Sequence, residues 1–189
     1  MRIFIKIIMK KISLLFTFIF LISCNDSKKS SKTIDNELNE EEYIDILGVF
    51  NKNELKNEPH DFWFKENYTN YKLDQEIADQ IKPLINDIDI TVFMGTWCSD
   101  SRMHTPAFFK LIDYLKIKDK KMKLIAMSLD KTTVDSLEKN QDIINIPTII
   151  FMKNGKEINR IVEFPIETIE KDIYKILSGN EYKNAYADF

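Results

Sequence analysis

The sequence predicts an α/β domain built on a central mixed β-sheet with helices on both faces. Apolar runs of strand length recur at residues 88–94, 123–128 and 146–152. Segments with the apolar period of a helix alternate with these runs. Asn154–Gly155, a dipeptide typical of tight hairpins, leads into a further strand-like run. Strands that alternate with helices and then end in a hairpin indicate a sheet that is partly parallel and partly antiparallel.

Length and composition describe one ordinary globular domain with an additional terminal segment. The chain has 189 residues, of which 44% are hydrophobic and 30% charged, and a formal net charge of -3. This charge balance excludes the basic surface expected of a protein that binds nucleic acid. The two histidines, His60 and His104, lie far apart and form no metal-ligand spacing with a cysteine. The sequence also lacks a glycine-rich phosphate loop, and it predicts no metal site and no cofactor.

The first 23 residues are predicted to be a lipoprotein signal peptide. A basic start precedes an apolar run at residues 12–22, which is too short to span a bilayer as a mature helix. The run ends in Leu21–Ile22–Ser23–Cys24, which resembles the lipobox of bacterial lipoproteins. That resemblance implies a lipid on Cys24 and a membrane-anchored protein of the bacterial cell envelope that faces the periplasm. The alternative interpretation is an uncleaved anchor that ends at Cys24.

Two segments separate this signal peptide from the predicted sheet. Residues 24–39 are polar, which predicts a flexible lipid-anchored tether. Residues 40–73 form an aromatic-rich N-terminal extension, in which 43–50 is interpreted as a strand rather than a helix. Three aromatic residues in this extension have the i, i+4, i+7 spacing of one helical face, which is typical of core packing: Phe64, Tyr68 and Tyr71.

The remaining elements are predicted from apolar periodicity and from capping residues. Asp74 is a candidate N-cap for a helix over 74–85, and Gly179 follows the last predicted helix. Pro106 is expected to bend the helix that contains it. The predicted order is a strand at 88–94, helix at 98–116, strand at 123–128, short helix at 133–139, strand at 146–152, strand at 157–162 and helix at 166–177.

The pair Trp97–Cys98 lies where the first central strand gives way to a helix. A cysteine at the start of a helix lies beside backbone N–H groups that lack partners, at the positive end of the helix dipole. This setting favours the thiolate, which is the reactive form of cysteine. If Cys24 carries lipid, Cys98 is the single free thiol of the mature chain, and no intramolecular disulfide can form.

Three features in order resemble the thioredoxin-like superfamily. They are Trp97–Cys98 after the first central strand, Pro106 within the following helix, and Ile146–Pro147–Thr148 before a strand and hairpin. The resemblance implies a three-layer α/β/α sandwich over residues 74–180, followed by a C-terminal tail at 181–189. Within this superfamily, the chain resembles envelope-anchored bacterial thioredoxin-like lipoproteins.

The resemblance also implies roles for particular residues. Cys98 would be the attacking thiol, and Pro147 would be a cis residue that faces it. Ile146 and Thr148 would contact a substrate polypeptide, and Trp97 would cover the site as an apolar wall. The implied partners are protein thiols or disulfides, or a low-molecular-weight thiol.

The sequence departs from the family pattern at Ser101. The usual site is Cys-x-x-Cys, whereas this chain has Cys98–Ser99–Asp100–Ser101, and a serine oxygen cannot form a disulfide. The Asp100 carboxylate opposes formation of a thiolate, while the helix terminus, the Ser101 hydroxyl and Arg102 favour it. The sign of the net effect on the Cys98 thiol stays open at this stage.

Three functions are compatible with a Cys-x-x-Ser site. The first is a monothiol oxidoreductase or isomerase in which Cys98 and Ser101 form the catalytic pair and a second molecule supplies the resolving thiol. The second is a non-catalytic module that binds extended polypeptides or an envelope partner. The third is a sensor in which Cys98 is oxidised to a sulfenic acid. His104 is interpreted as a partly exposed helix residue, and Asp100 and Arg102 are interpreted as solvated surface charges.

Overall fold

Five strands form one mixed sheet in the computed structural model, which describes residues 44–188. They are Gly48–Phe50 (β1), Ile88–Met94 (β2), Met122–Ala126 (β3), Thr148–Lys153 (β4) and Lys156–Val162 (β5). Their spatial order is β1-β3-β2-β4-β5, in which β2 and β3 are parallel and every other neighbouring pair is antiparallel. The mixed α/β sheet predicted from the sequence is confirmed.

Four α-helices accompany the sheet: Asp61–Asn70 (α1), Gln75–Ile81 (α2), Ser99–Leu115 (α3) and Ile169–Ser178 (α4). Two short 3-10 helices lie at Lys52–Lys56 and Asp119–Lys121. Within residues 44–188, none of these helices combines the length and the apolar character that a membrane crossing requires. The predicted signal peptide, Cys24 and the tether lie outside the described residues.

The two faces of the sheet are covered in different ways. Successive side chains of a strand point to opposite faces, and the central strands β2, β3 and β4 therefore contribute to two clusters. On one face, residues such as Val92, Leu124 and Ile149 pack with buried residues of all four helices. On the other face, Phe93 and Ile150 belong to a smaller cluster that no helix residue joins. Irregular chain between β3 and β4 contributes to this second cluster through partly buried residues.

The predicted short helix over residues 133–139 is wrong, because this segment consists of turns. Ser136 has φ 54°, a left-handed conformation that interrupts a helix. The Thr133 hydroxyl accepts the Leu137 N–H at 2.7 Å and donates to the Glu138 carboxylate at 2.6 Å. These local bonds replace helical ones, as is common for threonine. Turns therefore cover the face of the sheet that carries the smaller cluster, where a helix was expected.

The strand expected at 43–50 forms only over Gly48–Phe50. Asp45 and Ile46 bond instead to Thr96, which follows β2: the Thr96 hydroxyl donates to Asp45 at 2.7 Å and accepts the Ile46 N–H at 3.2 Å.

The predicted aromatic helix is confirmed as α1 for Phe64 and Tyr68, which lie in or against the main core. Tyr71 is the extended C-cap residue instead, and its hydroxyl donates to the Glu170 carboxylate at 2.7 Å. The segment from residue 44 to α1 therefore contributes to the same sheet and core as the rest of the described chain.

Capping residues determine where the next helix begins and ends. The Asp74 carboxylate accepts the Ile77 N–H at 3.1 Å, as expected of an N-cap. The helix α2 ends at Ile81, before Pro83, because proline cannot donate the next helical hydrogen bond.

The last helix, α4, begins later than the sequence indicates. The buried Asp172 carboxylate accepts the N–H groups of Ile166 and Glu167, at 2.6 and 3.1 Å, and holds them outside the helix. Thr168 is the N-cap. Gly179 ends the helix with φ 76°, a left-handed conformation suited to glycine.

The helix α3 continues from Ser99 to Leu115 through Pro106. Proline has no N–H, so the carbonyl of Arg102, four residues earlier, loses its helical donor. The Asn67 side-chain amide of α1 donates to this carbonyl at 3.2 Å and also to the Trp63 carbonyl at 2.9 Å. Asn67 therefore joins α1 to α3 next to the first turn of α3.

We expect Asn67→Ala to lower the free energy of unfolding by about 1–3 kcal/mol, because the Arg102 carbonyl would lose its side-chain donor. Chemical denaturation followed by circular dichroism measures this change. Asn70→Ala, at an exposed position of the same helix, is the matched control and should change stability far less. Equal losses in the two variants would contradict this role for Asn67.

Candidate active site

Cys98 lies between the end of β2 and the start of α3, as the sequence predicts. It is the N-cap residue of α3 in an extended conformation, with φ -83° and ψ 125°. Its backbone N–H donates to the Gly95 carbonyl at 3.1 Å, which closes a tight turn. Its side chain is partly buried, and its thiol donates to the Ile146 carbonyl at 3.5 Å. The thiol therefore faces the turn before β4.

The indole of Trp97 packs beside Cys98 against the smaller cluster of Phe93 and Ile125. Its Nε1–H donates to the Met127 carbonyl, just beyond β3, at 2.8 Å. This bond fixes the indole in one orientation. The arrangement agrees with an apolar wall beside the thiol.

Gly95 is required by the close approach of two side chains. A Cβ atom at this position would lie 2.7 Å from Cε2 and Nε1 of Trp97 and 3.0 Å from Cδ1 of Ile146. Contacts below 3.0 Å are essentially not tolerated, so the indole would have to move. Glycine therefore allows Trp97 and Ile146 to converge next to the thiol.

Ser101 is fully buried in the first turn of α3. Its hydroxyl accepts the Gly95 N–H at 3.2 Å, and its carbonyl accepts the Thr105 hydroxyl at 2.6 Å. The sequence suggested that this hydroxyl assists the Cys98 thiol. The hydrogen bond that the structure gives it runs instead to the turn before Cys98, so Ser101 holds the backbone that presents the thiol.

The residues Ile146–Pro147–Thr148 form the opposite side of the site. The Ile146–Pro147 peptide bond is cis, as the resemblance implied. The Pro147 carbonyl accepts the Glu163 N–H at 2.7 Å, and the Thr148 hydroxyl donates to the Asn145 carbonyl. Thr148 is fully buried, and its side chain holds the turn. Contact of a substrate with the backbone of Ile146 and Thr148 stays a prediction. Ile146 is also buried, and its carbonyl is the group that meets the thiol.

The interpretation of Arg102 as a solvated charge is wrong. Its side chain is partly buried, its Nε–H donates to the Thr96 carbonyl, and its guanidinium lies 5.9 Å from the centre of the Trp63 ring. Thr96 is also bonded to Asp45 and Ile46. Arg102 and the N-terminal segment thus hold the same turn that carries the thiol.

The sequence carried no signal for a group of polar residues beside the cis-proline turn. Glu163 follows β5, and its carboxylate accepts the hydroxyl of Tyr186, from the C-terminal tail. This hydrogen bond raises the pKa of the Tyr186 phenol above its usual 10.0, and the charge of Asp100 adds to the effect. Burial lowers the pKa of His104, while the charges of Asp100 and Glu163 oppose that change.

A mixed sheet, a cysteine that begins the central helix and a cis-proline turn against its thiol define the thioredoxin-like class of protein. The sequence model of a family described as Thioredoxin matches residues 52–175, more than half of the chain. The chain therefore belongs to the thioredoxin family. The match includes α1, which the sequence suggested to be part of an extension.

Curated relatives agree with this assignment. Thioredoxin H2 of Arabidopsis thaliana is 30% identical over 101 residues, which cover 53% of this chain and 68% of that protein. The thioredoxin of Staphylococcus saprophyticus is 29% identical over 106 residues, which cover 55% and 93%. Among solved structures, mitochondrial thioredoxin 3 of Saccharomyces cerevisiae, in its oxidised form, is 26% identical with a TM-score of 0.31 and covers 51% of this chain and 86% of that one. The assignment depends on the family match and not on this structural score.

We expect Gly95→Ala to lower the free energy of unfolding by about 1–3 kcal/mol, because its methyl group would overlap the Trp97 indole. The same change should alter tryptophan fluorescence and slow alkylation of Cys98. Ser99→Ala, at the neighbouring exposed position, is the control and should leave all three measurements near wild type. If Gly95→Ala keeps the fluorescence and the stability of the wild type, the Trp97 indole does not require glycine at this position.

Proposed function

We propose that this protein is a membrane-anchored member of the thioredoxin family that performs thiol–disulfide exchange through one cysteine, Cys98. Family membership supports thiol–disulfide chemistry in general, with protein thiols or disulfides as partners. The observation that carries the finer proposal is the position of the Cys98 thiol, which begins α3 and lies 3.5 Å from the Ile146 carbonyl.

The first step is attack by the Cys98 thiolate on one sulfur of a substrate disulfide. A new S–S bond forms between Cys98 and that sulfur, the substrate S–S bond breaks, and the departing thiolate takes up a proton. Cys98 immediately precedes the first turn of α3, whose backbone N–H groups lack helical partners. The partly buried sulfur lies beside the indole of Trp97 and faces the turn at Ile146.

Release of the product requires a second thiol from another molecule. Its thiolate attacks the mixed disulfide, forms a new S–S bond with the substrate sulfur, and restores the Cys98 thiolate. Ser101 occupies the position where a resolving cysteine would lie, and an alcohol cannot form this bond. A low-molecular-weight thiol, a partner protein thiol or a second substrate cysteine would suit this step, and the last would give isomerisation.

The proposed location is the bacterial cell envelope, with the domain facing the periplasm and lipid on Cys24. This proposal rests on the lipobox-like Leu21–Ile22–Ser23–Cys24 and the polar tether that follows. Oxidising compartments contain the protein disulfides on which such a thiol would act.

A non-catalytic binding module is the second candidate function. The observation that favours it is that the Ser101 hydroxyl is buried and accepts the Gly95 N–H. This bond gives the side chain a structural role that requires no redox chemistry. In this alternative, the surface beside Trp97 binds polypeptides and Cys98 undergoes no exchange.

The decisive experiment traps mixed disulfides of the full-length protein in intact cells. Rapid acid quenching, alkylation and non-reducing electrophoresis should reveal adducts that disappear with reductant and are absent from Cys98→Ser. Fractionation of the same cells should place the protein with membranes, and Cys24→Ser should release it from them.

The outcomes separate the two candidate functions. Adducts through Cys98 support exchange. An absence of adducts, together with partner binding that Cys98→Ser leaves unchanged, would support the binding module and reject the exchange function. A Cys98 alkylation rate no higher than that of an unstructured cysteine peptide would also count against exchange.

A further inference from the structure

Two side chains from distant parts of the chain meet at the cis-proline turn, and a third carboxylate lies within range of their charges. Asp100 belongs to the first turn of α3, Glu163 follows β5, and Tyr186 belongs to the C-terminal tail. The Tyr186 hydroxyl donates to the Glu163 carboxylate, and the Glu163 N–H donates to the Pro147 carbonyl at 2.7 Å. We call Asp100, Glu163 and Tyr186 the acidic rim.

The acidic rim lies beside the reacting sulfur. Tyr186 is also hydrogen-bonded to the side chain of Asn145, which immediately precedes Ile146, and the Ile146 carbonyl accepts the Cys98 thiol. Asp100 is two residues beyond Cys98, and its charge acts on Tyr186. A polypeptide whose cysteine reaches Cys98 therefore places its neighbouring residues within reach of these groups.

The two carboxylates of the rim are not held in ion pairs: among residues 44–188, neither Asp100 nor Glu163 takes part in a salt bridge. His104 lies within the influence of both carboxylates, but burial favours its neutral form. The Lys131 ammonium reaches this turn, where it donates to the Ile144 carbonyl and to the Asn145 side chain.

The other cations close in sequence are bonded to other groups. Arg102 donates to the Thr96 carbonyl and lies over the Trp63 ring. Lys183, on the tail, forms an ion pair with Asp188.

We propose that the acidic rim selects substrate polypeptides that carry a lysine or arginine next to the exchanging cysteine. Two carboxylates attract such a cation, and the tyrosine ring offers a face that cations favour. Asp100, Glu163 and Tyr186 are thus specificity-determining residues for the first exchange step. The inference rests on the proposed exchange function and names the substrate class of the same site.

The test uses three peptides that differ only in the residue beside their single cysteine, which is lysine, glutamine or glutamate. Each cysteine carries thionitrobenzoate in disulfide linkage, so attack by Cys98 releases a coloured thiolate and leaves the peptide on the protein. Rates with the full-length protein in detergent are divided by the rates of the same peptides with mercaptoethanol. This ratio removes the effect of peptide charge on intrinsic reactivity.

We expect the normalised rate to be about 5-fold higher for the lysine peptide than for the glutamate peptide at low salt, with the ratio falling as salt screens the charges. The double variant Asp100→Asn/Glu163→Gln should lose this preference. Tyr186→Phe keeps the ring and should retain more of the preference than Tyr186→Leu. Asp119→Asn makes the same charge change in the 3-10 helix before β3, at the far end of α3, and should keep the full preference.

Two failures are distinguishable. If Cys98 reacts faster than mercaptoethanol but equally with all three peptides, or if the double variant keeps the preference, the rim proposal is overturned while exchange stands. If Cys98 is no faster than mercaptoethanol with any peptide, exchange fails. In that case, calorimetric binding of S-methylated forms of the peptides to Cys98→Ser still decides whether the rim prefers lysine.

Discussion

The site depends on one short turn, Gly95–Cys98, because this turn fixes the position of the Cys98 thiol at the N-terminus of α3. The turn is held from several directions. Ser101 accepts its first N–H, Arg102 and Asp45 bond Thr96, and Met127 accepts the indole N–H of Trp97. These bonds join the turn to α3, to the segment before β1 and to the chain that follows β3, so the thiol position does not follow from local sequence alone.

Ser101 supports this turn through a hydrogen bond, but it cannot perform the disulfide chemistry of the cysteine that usually occupies this position. A side chain at this position is buried and close to the Gly95 N–H, where a hydroxyl is a better acceptor than a thiol. The substitution thus supports the turn and removes the group that could discharge a mixed disulfide. Under the proposed function, the protein can start an exchange and depends on another molecule to complete it.

Much of the fold could be predicted from the sequence because its signals are local. The strand at 88–94, the Asp74 cap, the Asn154–Gly155 hairpin and the helix that begins after Cys98 all follow from periodicity and capping. The helix expected at 133–139 failed because its apolar spacing could not reveal the competing bonds of the Thr133 hydroxyl.

Several parts of the site that the sequence did not predict depend on contacts between distant residues. Thr96 is bonded to Asp45, 51 positions away, and Tyr186 to Glu163, 23 positions away. The partial burial of Arg102 follows from the packing of α1 against α3. The sequence pattern of neither helix predicts this contact. Cys98, Trp97 and Pro147 could be found because they form a recognisable motif.

The lifetime of the mixed disulfide tests the central claim most directly. The full-length protein would be reacted with one equivalent of a disulfide peptide, and its intact mass followed without added thiol. Wild type should keep the adduct until an external thiol is supplied, whereas Ser101→Cys should expel the peptide and gain an internal disulfide with Cys98. If the wild-type adduct is lost without added thiol as fast as the adduct of Ser101→Cys, the claim that the protein needs an external thiol to release its substrate is contradicted.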